Sequence, residues 1–138
     1  MILLDTSGLL AALDSAQHTH VAAAASLIAA APPLLLSPFV LAELDHLLAT
    51  RVGQSERTSL LAEVEGGAYR LEPFSGPDMR EALGVIRRHG DLGVSLADAS
   101  IVVLAGRHRI QDVLTLDERH FRTLTANGRP FRLLPADS

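Results

Sequence analysis

Short apolar runs alternate with amphipathic or alanine-rich stretches along the whole chain, and that alternation predicts strands interleaved with helices. Ile2-Leu3-Leu4 is a continuous apolar run that stops at Asp5-Thr6-Ser7-Gly8, which reads as a buried strand followed by a polar turn into a helix. His20 to Ala30 is alanine-rich and predicts a helix, ended by Pro32-Pro33 before a second strand at Leu34-Leu35-Leu36. Ser37-Pro38 supplies an N-cap and a first-turn proline for a helix to about Arg51, closed by Gly53.

The second half repeats the alternation. A helix from about Ser55 to Glu65 stops at Gly66-Gly67, and Ala68 to Leu71 reads as a third strand. Ser75-Gly76-Pro77-Asp78 starts an amphipathic helix to about His89, with Met79, Ala82, Leu83 and Ile86 on one face. Ser95 caps a nearly all-apolar helix to about Gly106, which must be buried on most sides. Asp112 to Thr115 is the fourth strand, about Glu118 to Leu124 a short helix, and Phe131 to Leu134 the fifth strand. Strands separated by helices imply a parallel sheet covered on both faces, so the expected fold is a three-layer α/β sandwich forming one domain over residues 1–138. Ligands in such sheets collect outside the carboxyl ends of the strands, where Asp5 and Asp117 fall.

Composition narrows the class. With 138 residues, 48% of them hydrophobic and 20% charged, the chain is long enough for a core of its own, and its 4% aromatic content makes that core mostly aliphatic. Cysteine is absent, which excludes disulfides, thiolate metal sites and cysteine nucleophiles and fits a reducing compartment. The opening apolar run is too short for a signal peptide, and the stretch from Val21 to Leu36 is broken by Ser26 and Pro32-Pro33. A cytoplasmic protein with no membrane partner is therefore expected. The net charge of −4 by itself counts against a nucleic-acid partner, yet all twelve basic residues are arginine, whose forked guanidinium suits phosphate.

Four carboxylates change that picture. Asp5, Glu43, Asp98 and Asp117 each sit where an apolar element ends or turns a polar edge to a neighbour. Two ionised carboxylates about 4 Å apart repel by roughly 4 kcal/mol at an effective dielectric near 20, so a cluster of them needs a cation. An all-oxygen set points to Mg²⁺ or Mn²⁺. Each position alone has a simpler explanation. Asp5 and Asp117 fit N-caps or turns, Asp98 completes a Ser-x-x-acid capping pattern with Ser95, and Glu43 borders the apolar stripe Val40, Leu44, Leu47. Other chemistries lack their residues. No nucleophile elbow, dinucleotide fingerprint or P-loop lysine is present, and the six histidines are scattered, with even His18-x-His20 lacking a third ligand for zinc.

Taken together, Ile2-Leu3-Leu4-Asp5-Thr6-Ser7-Gly8, Val40-Leu41-Ala42-Glu43, Leu96-Ala97-Asp98-Ala99 and Thr115-Leu116-Asp117-Glu118-Arg119-His120-Phe121 resemble, in order and spacing, the motifs of PIN-domain ribonucleases of the VapC toxin family. The resemblance implies a five-stranded parallel sheet between helices and cleavage of RNA with Mg²⁺ or Mn²⁺. It implies Asp5 and Asp98 as primary metal ligands, Glu43 and Asp117 as ligands directly or through water, and Thr6, Ser7 and Thr115 as residues that orient them. Asp45 and Asp91 are further acidic candidates. A VapB-like antitoxin protein, a homodimer and membership of a type II toxin–antitoxin system are also implied. The alternative expectation is a non-catalytic PIN-like module that acts by binding protein or RNA.

Overall fold

The structure is a computed structural model that describes residues 1–138. Ile2–Leu4 forms strand β1, its three side chains all buried, as expected of a strand covered on both faces. Helices α1 (Thr6–Leu13) and α2 (His20–Ala29) follow and pack on each other before β2 (Leu34–Leu36). Helix α3 (Pro38–Leu47) starts where Ser37 accepts the Phe39 N–H at 3.2 Å with Pro38 in the first turn. The predicted helix to Arg51 ends earlier as an α-helix. Residues Leu48–Val52 widen into a π-turn before α4 (Gln54–Glu65) and the short strand β3 (Arg70–Leu71).

Helices α5 (Gly76–Arg88) and α6 (Leu96–His108) both open with the capping boxes that their serines predict, Ser75 with Asp78 and Ser95 with Asp98. A 3₁₀ turn at Gly90–Leu92 separates them. Strand β4 (Asp112–Leu114), the single-turn helix α7 (Glu118–Phe121) and strand β7 (Arg132–Leu134) complete the chain, with an antiparallel hairpin of β5 (Thr125–Ala126) and β6 (Arg129–Pro130) between the last two. That hairpin was not expected. Asn127 and Gly128, both at positive φ (54° and 73°), form its turn, the backbone geometry that an Asn-Gly pair tolerates best.

The main sheet runs β3-β2-β1-β4-β7 with every pair parallel. Registers Leu4↔Leu36 and Leu4↔Leu114 place β1 between its neighbours with their carboxyl ends level. After β3 the chain crosses back over β1, so the strand order switches beside β1 and opens a crevice at its carboxyl end. One core cluster of 33 buried residues spans the sheet and the inner helix faces, with Ile101, Leu104 and Ala105 of α6 fully buried against it. The all-apolar reading of α6 thus corresponds to a helix buried on most sides. No helix is long and apolar enough to cross a membrane.

Candidate metal centre

Because β1 and β4 are parallel neighbours, Asp5 and Thr115 leave the sheet side by side, and the Asp5 N–H donates to the Leu114 carbonyl at 3.0 Å. Asp5 occupies the N-cap position of α1 with extended backbone (φ −95°, ψ 153°), but its side chain makes no capping bond. Its Oδ2 instead accepts the Ser7 hydroxyl at 2.9 Å and the Thr115 hydroxyl at 2.6 Å. The same two hydroxyl oxygens accept backbone donors, Ser7 from Leu116 N–H and Thr115 from Asp117 N–H, each at 2.9 Å. A hydroxyl has one proton to give, and both are spent on Asp5. The two oxygens therefore hold one carboxylate in one orientation, one from the first turn of α1 and one from the end of β4.

Asp98 sits in the first turn of α6, 9% exposed, and its Oδ2 accepts the Ser95 N–H at 3.2 Å while its own N–H donates to the Ser95 hydroxyl at 3.1 Å. A second polar contact sets where that turn lies. The Ser100 hydroxyl donates to the Ala97 carbonyl and accepts from the Ser37 hydroxyl, both at 2.6 Å, in a fully buried link between the starts of α6 and α3. Helix α3 also carries Glu43, which is exposed and whose Oε1 accepts the Thr6 hydroxyl at 2.7 Å.

Asp117 caps α7, its Oδ1 accepting the His120 N–H at 3.0 Å. Its Oδ2 lies 2.5 Å from Nδ1 of the same histidine, whose Nε2 donates to the Leu92 carbonyl at 2.9 Å and whose Nδ1 is 4.0 Å from Asp98 Oδ2. Ligating atoms of Asp98, Asp117 and His120 all fall within 4.8 Å of one another.

The electrostatics favour a cation. Burial pushes the Asp5 carboxyl up to about 6, against the pull of the Thr115 and Ser7 hydroxyls, and the charge on Asp98 pushes it the same way. Burial also raises the Asp98 carboxyl, against its bonds to Ser95 and the nearby His120. The bond to Asp117 raises the imidazole of His120. Two carboxyls raised by burial, beside a third acidic group, are costly to ionise together, and positive charge entering the crevice offsets that cost. The carboxylate oxygens of Asp5, Asp98 and Asp117 suit a hard divalent ion, and a ring nitrogen of His120 lies among those of Asp98 and Asp117.

Of the residues singled out in the sequence, Asp98 and Asp117 converge directly, and Asp5 is coupled to them through Thr115 and the Asp98 charge. Ser7 and Thr115 orient Asp5, and Thr6 orients Glu43. Asp45 is engaged by Arg57 at 2.5 Å and Asp91 is exposed on the 3₁₀ turn, so neither joins the cluster. His120 was missed as a member of the site. The signal was the Asp117-x-x-His120 spacing, which puts both side chains on one face of a helical turn.

Residues 2–126 match the family model described as PIN domain. The chain is 39% identical over 135 residues to the ribonuclease VapC26 of Mycobacterium tuberculosis, covering 97% of this chain and all of that one. Among solved structures, the VapC20 toxin of Mycobacterium tuberculosis, described as cleaving the sarcin–ricin loop, superposes with a TM-score of 0.79 at 24% identity over 85% of this chain and 90% of that one. FitAcB from Neisseria gonorrhoeae superposes with a TM-score of 0.63 at 24% identity, covering 86% and 88%.

Proposed function

The chain belongs to the PIN-domain family, in its VapC branch, and we propose that it is the toxin of a type II toxin–antitoxin system, an endoribonuclease that hydrolyses RNA phosphodiester bonds with Mg²⁺ or Mn²⁺. The observation that carries this reading is the convergence of Asp98 and Asp117 beside Asp5, whose carboxyl is held by two hydroxyls and raised by burial to about 6. A repulsive, partly buried acidic group at the strand ends serves little purpose in a module that only binds. The ribonuclease VapC26 and the loop-cleaving VapC20 support the same chemistry.

Asp5 and Asp98 would be the primary ligands of the ion, with Glu43 and Asp117 completing the pocket directly or through water. A divalent ion bound there supplies a water of lowered pKa and offsets negative charge on the scissile phosphate. The chain's own groups do the positioning. Ser7 and Thr115 keep Asp5 from rotating, the Ser95 box fixes Asp98, and the buried Ser37–Ser100 link sets the start of α6 against that of α3. Five of the twelve arginines are committed to ion pairs with Asp45, Glu72, Asp78, Asp112, Glu118 and Asp137. Arg87 and Arg88, which carry no ion pair, end α5 just before the turn whose Leu92 carbonyl holds His120, and on this reading they would take RNA phosphates.

Partners follow from the same reading. A VapB-like antitoxin would cover the acidic crevice, the chain would pair as a homodimer, and both would work in the cytoplasm. Val21 and Ile28, 79% and 84% exposed on α2, supply uncovered apolar surface for one of these contacts.

The test is cleavage of a mixed structured-RNA pool by the purified, partner-free chain with Mg²⁺, Mn²⁺ or EDTA, beside Asp98→Asn. Discrete fragments that need both the ion and Asp98 are expected. Cleavage at the wild-type rate by a folded Asp98→Asn protein would sink the site assignment. A folded wild-type chain that cuts nothing with either ion would shift the reading to a PIN-like binding module.

A further inference from the structure

We propose that Nδ1 of His120 is itself a ligand of the divalent ion, so that the centre is a mixed carboxylate–imidazole site selecting Mn²⁺ over Mg²⁺. The proposal rests on the metal-dependent reading above and adds a donor to its acidic set.

The ring's orientation comes first. A backbone carbonyl has no proton to donate, so the 2.9 Å contact with the Leu92 carbonyl requires the hydrogen on Nε2. A histidine that ligates a metal through one nitrogen commonly donates from the other to a backbone carbonyl, which fixes ring and tautomer together. Leu92 does this for His120. The nitrogen left facing the crevice is Nδ1, 2.5 Å from Asp117 Oδ2 and 4.0 Å from Asp98 Oδ2.

That geometry identifies what belongs between the three atoms. A ring nitrogen and a carboxylate oxygen this close share either a proton or a metal ion. A proton bridges only this near pair and leaves Asp98 out. A divalent ion with bonds of about 2.1 Å has ligands roughly 3 Å apart, so it touches all three after side-chain shifts of about 1 Å or less. Phe121 anchors the turn, 1% exposed and edge-on to Phe131 with ring centroids 5.8 Å apart, and the neighbouring His120 side chain keeps 17% of its surface exposed.

Donor chemistry then sets the preference. Mg²⁺ keeps to oxygen ligands and water, while Mn²⁺, which also favours carboxylate oxygen, is a first-row transition ion that accepts a ring nitrogen more readily than Mg²⁺ does. Of the two ions this reaction would use, a nitrogen ligand favours Mn²⁺.

The experiment is Mn²⁺ binding by the purified full chain, followed by titration and by electron spin-echo modulation with and without ¹⁵N-labelled histidine. Bound Mn²⁺ in the wild type should couple to a directly ligated histidine nitrogen, and the coupling should change on labelling. His120→Ala should lose it and bind Mn²⁺ about 10–100-fold more weakly, with a smaller loss for Mg²⁺. His120→Gln, which keeps a side-chain donor for Leu92, should also lose the coupling and guards against an effect of unfolding. Mn²⁺ bound by the wild type without nitrogen coupling, or coupling unchanged in either variant, overturns the proposal and leaves the acidic nuclease reading standing. A wild type that binds neither ion overturns both.

Discussion

The Thr115 hydroxyl donates to Oδ2 of Asp5 at 2.6 Å although 110 residues separate them. The same oxygen accepts the Asp117 N–H, so one threonine ties the acid after the first strand to the acid after the fourth. Replacing it with the near-isosteric valine removes a bond to a charged group and leaves the Asp117 N–H short of a partner. Thr115→Val should weaken ion binding about 10-fold and lower stability by about 1–3 kcal/mol. Calorimetric titration with Mn²⁺ and urea unfolding check the two effects, and a variant that binds the ion like the wild type would remove Thr115 from the site.

Asp5 should make the ion-free protein less stable as pH rises. Its folded carboxyl is raised from 3.8 to about 6, so the folded state holds a proton that the unfolded chain has already lost between those values. Its contribution is therefore fully present below about pH 4 and lost as pH rises through about 6. The shift of about two units corresponds to about 3 kcal/mol. In EDTA, Asp5→Asn should be more stable than wild type at pH 7.5 by up to that amount and nearly equal to it at pH 4. Thermal unfolding at the two pH values decides it, and equal differences at both would refute the linkage. For the same reason ion affinity should fall as pH drops below about 6, because the ion displaces the Asp5 proton.

Gly8 tolerates no side chain. A Cβ there would sit 2.4 Å from the Leu114 oxygen and 2.7 Å from the Thr115 nitrogen, both backbone atoms that cannot swing away. Gly8→Ala must push α1 off the end of β4 and pull Ser7 from Thr115. A loss of about 3 kcal/mol is expected by denaturant titration, with ion binding impaired as well. Unchanged stability would show that α1 shifts freely.

Arg87→Ala with Arg88→Ala tests the phosphate contacts. If both side chains hold the RNA backbone, affinity for a catalytically inert Asp98→Asn complex should fall and the slope of log affinity against log salt should flatten by about one to two units. Binding measured between low and moderate salt reads this directly. An unaltered slope would place the RNA elsewhere.

Asp45→Asn and Asp91→Asn should leave ion binding and cleavage within about twofold of wild type, since Asp45 is taken up by Arg57, Asp91 is exposed and neither joins the converging cluster. A large loss in either would enlarge the site beyond the converging cluster.

Sequence by itself determined the strand–helix alternation, because the central strands β1 and β2 are short unbroken apolar runs and three helices announce their starts with a capping serine: Ser37 for α3, Ser75 for α5, Ser95 for α6. It also determined which acids could matter, since Asp5 and Asp117 follow strands and Asp98 opens a buried helix. It carried a legible Asn127-Gly128 hairpin turn that a strand count alone passes over. The π-turn at Leu48–Val52 left no such mark, because its residues are ordinary helix formers.

What only the tertiary structure decided was which side chains meet. Asp45, a candidate ranked below Glu43 in the sequence, is engaged by Arg57, whereas Glu43 is engaged by Thr6 at the start of α1. Likewise His120 looks like a surface residue of a short helix until the Gly90–Leu92 turn brings the Leu92 carbonyl to its Nε2 and the start of α6 brings Asp98 toward its Nδ1. Propensity and periodicity act over a few residues, whereas the Ser37–Ser100 and Asp5–Thr115 contacts close 63 and 110 residues of chain. Those closures exist only once the core has set the strand order, and the strand order is what gathers the carboxylates.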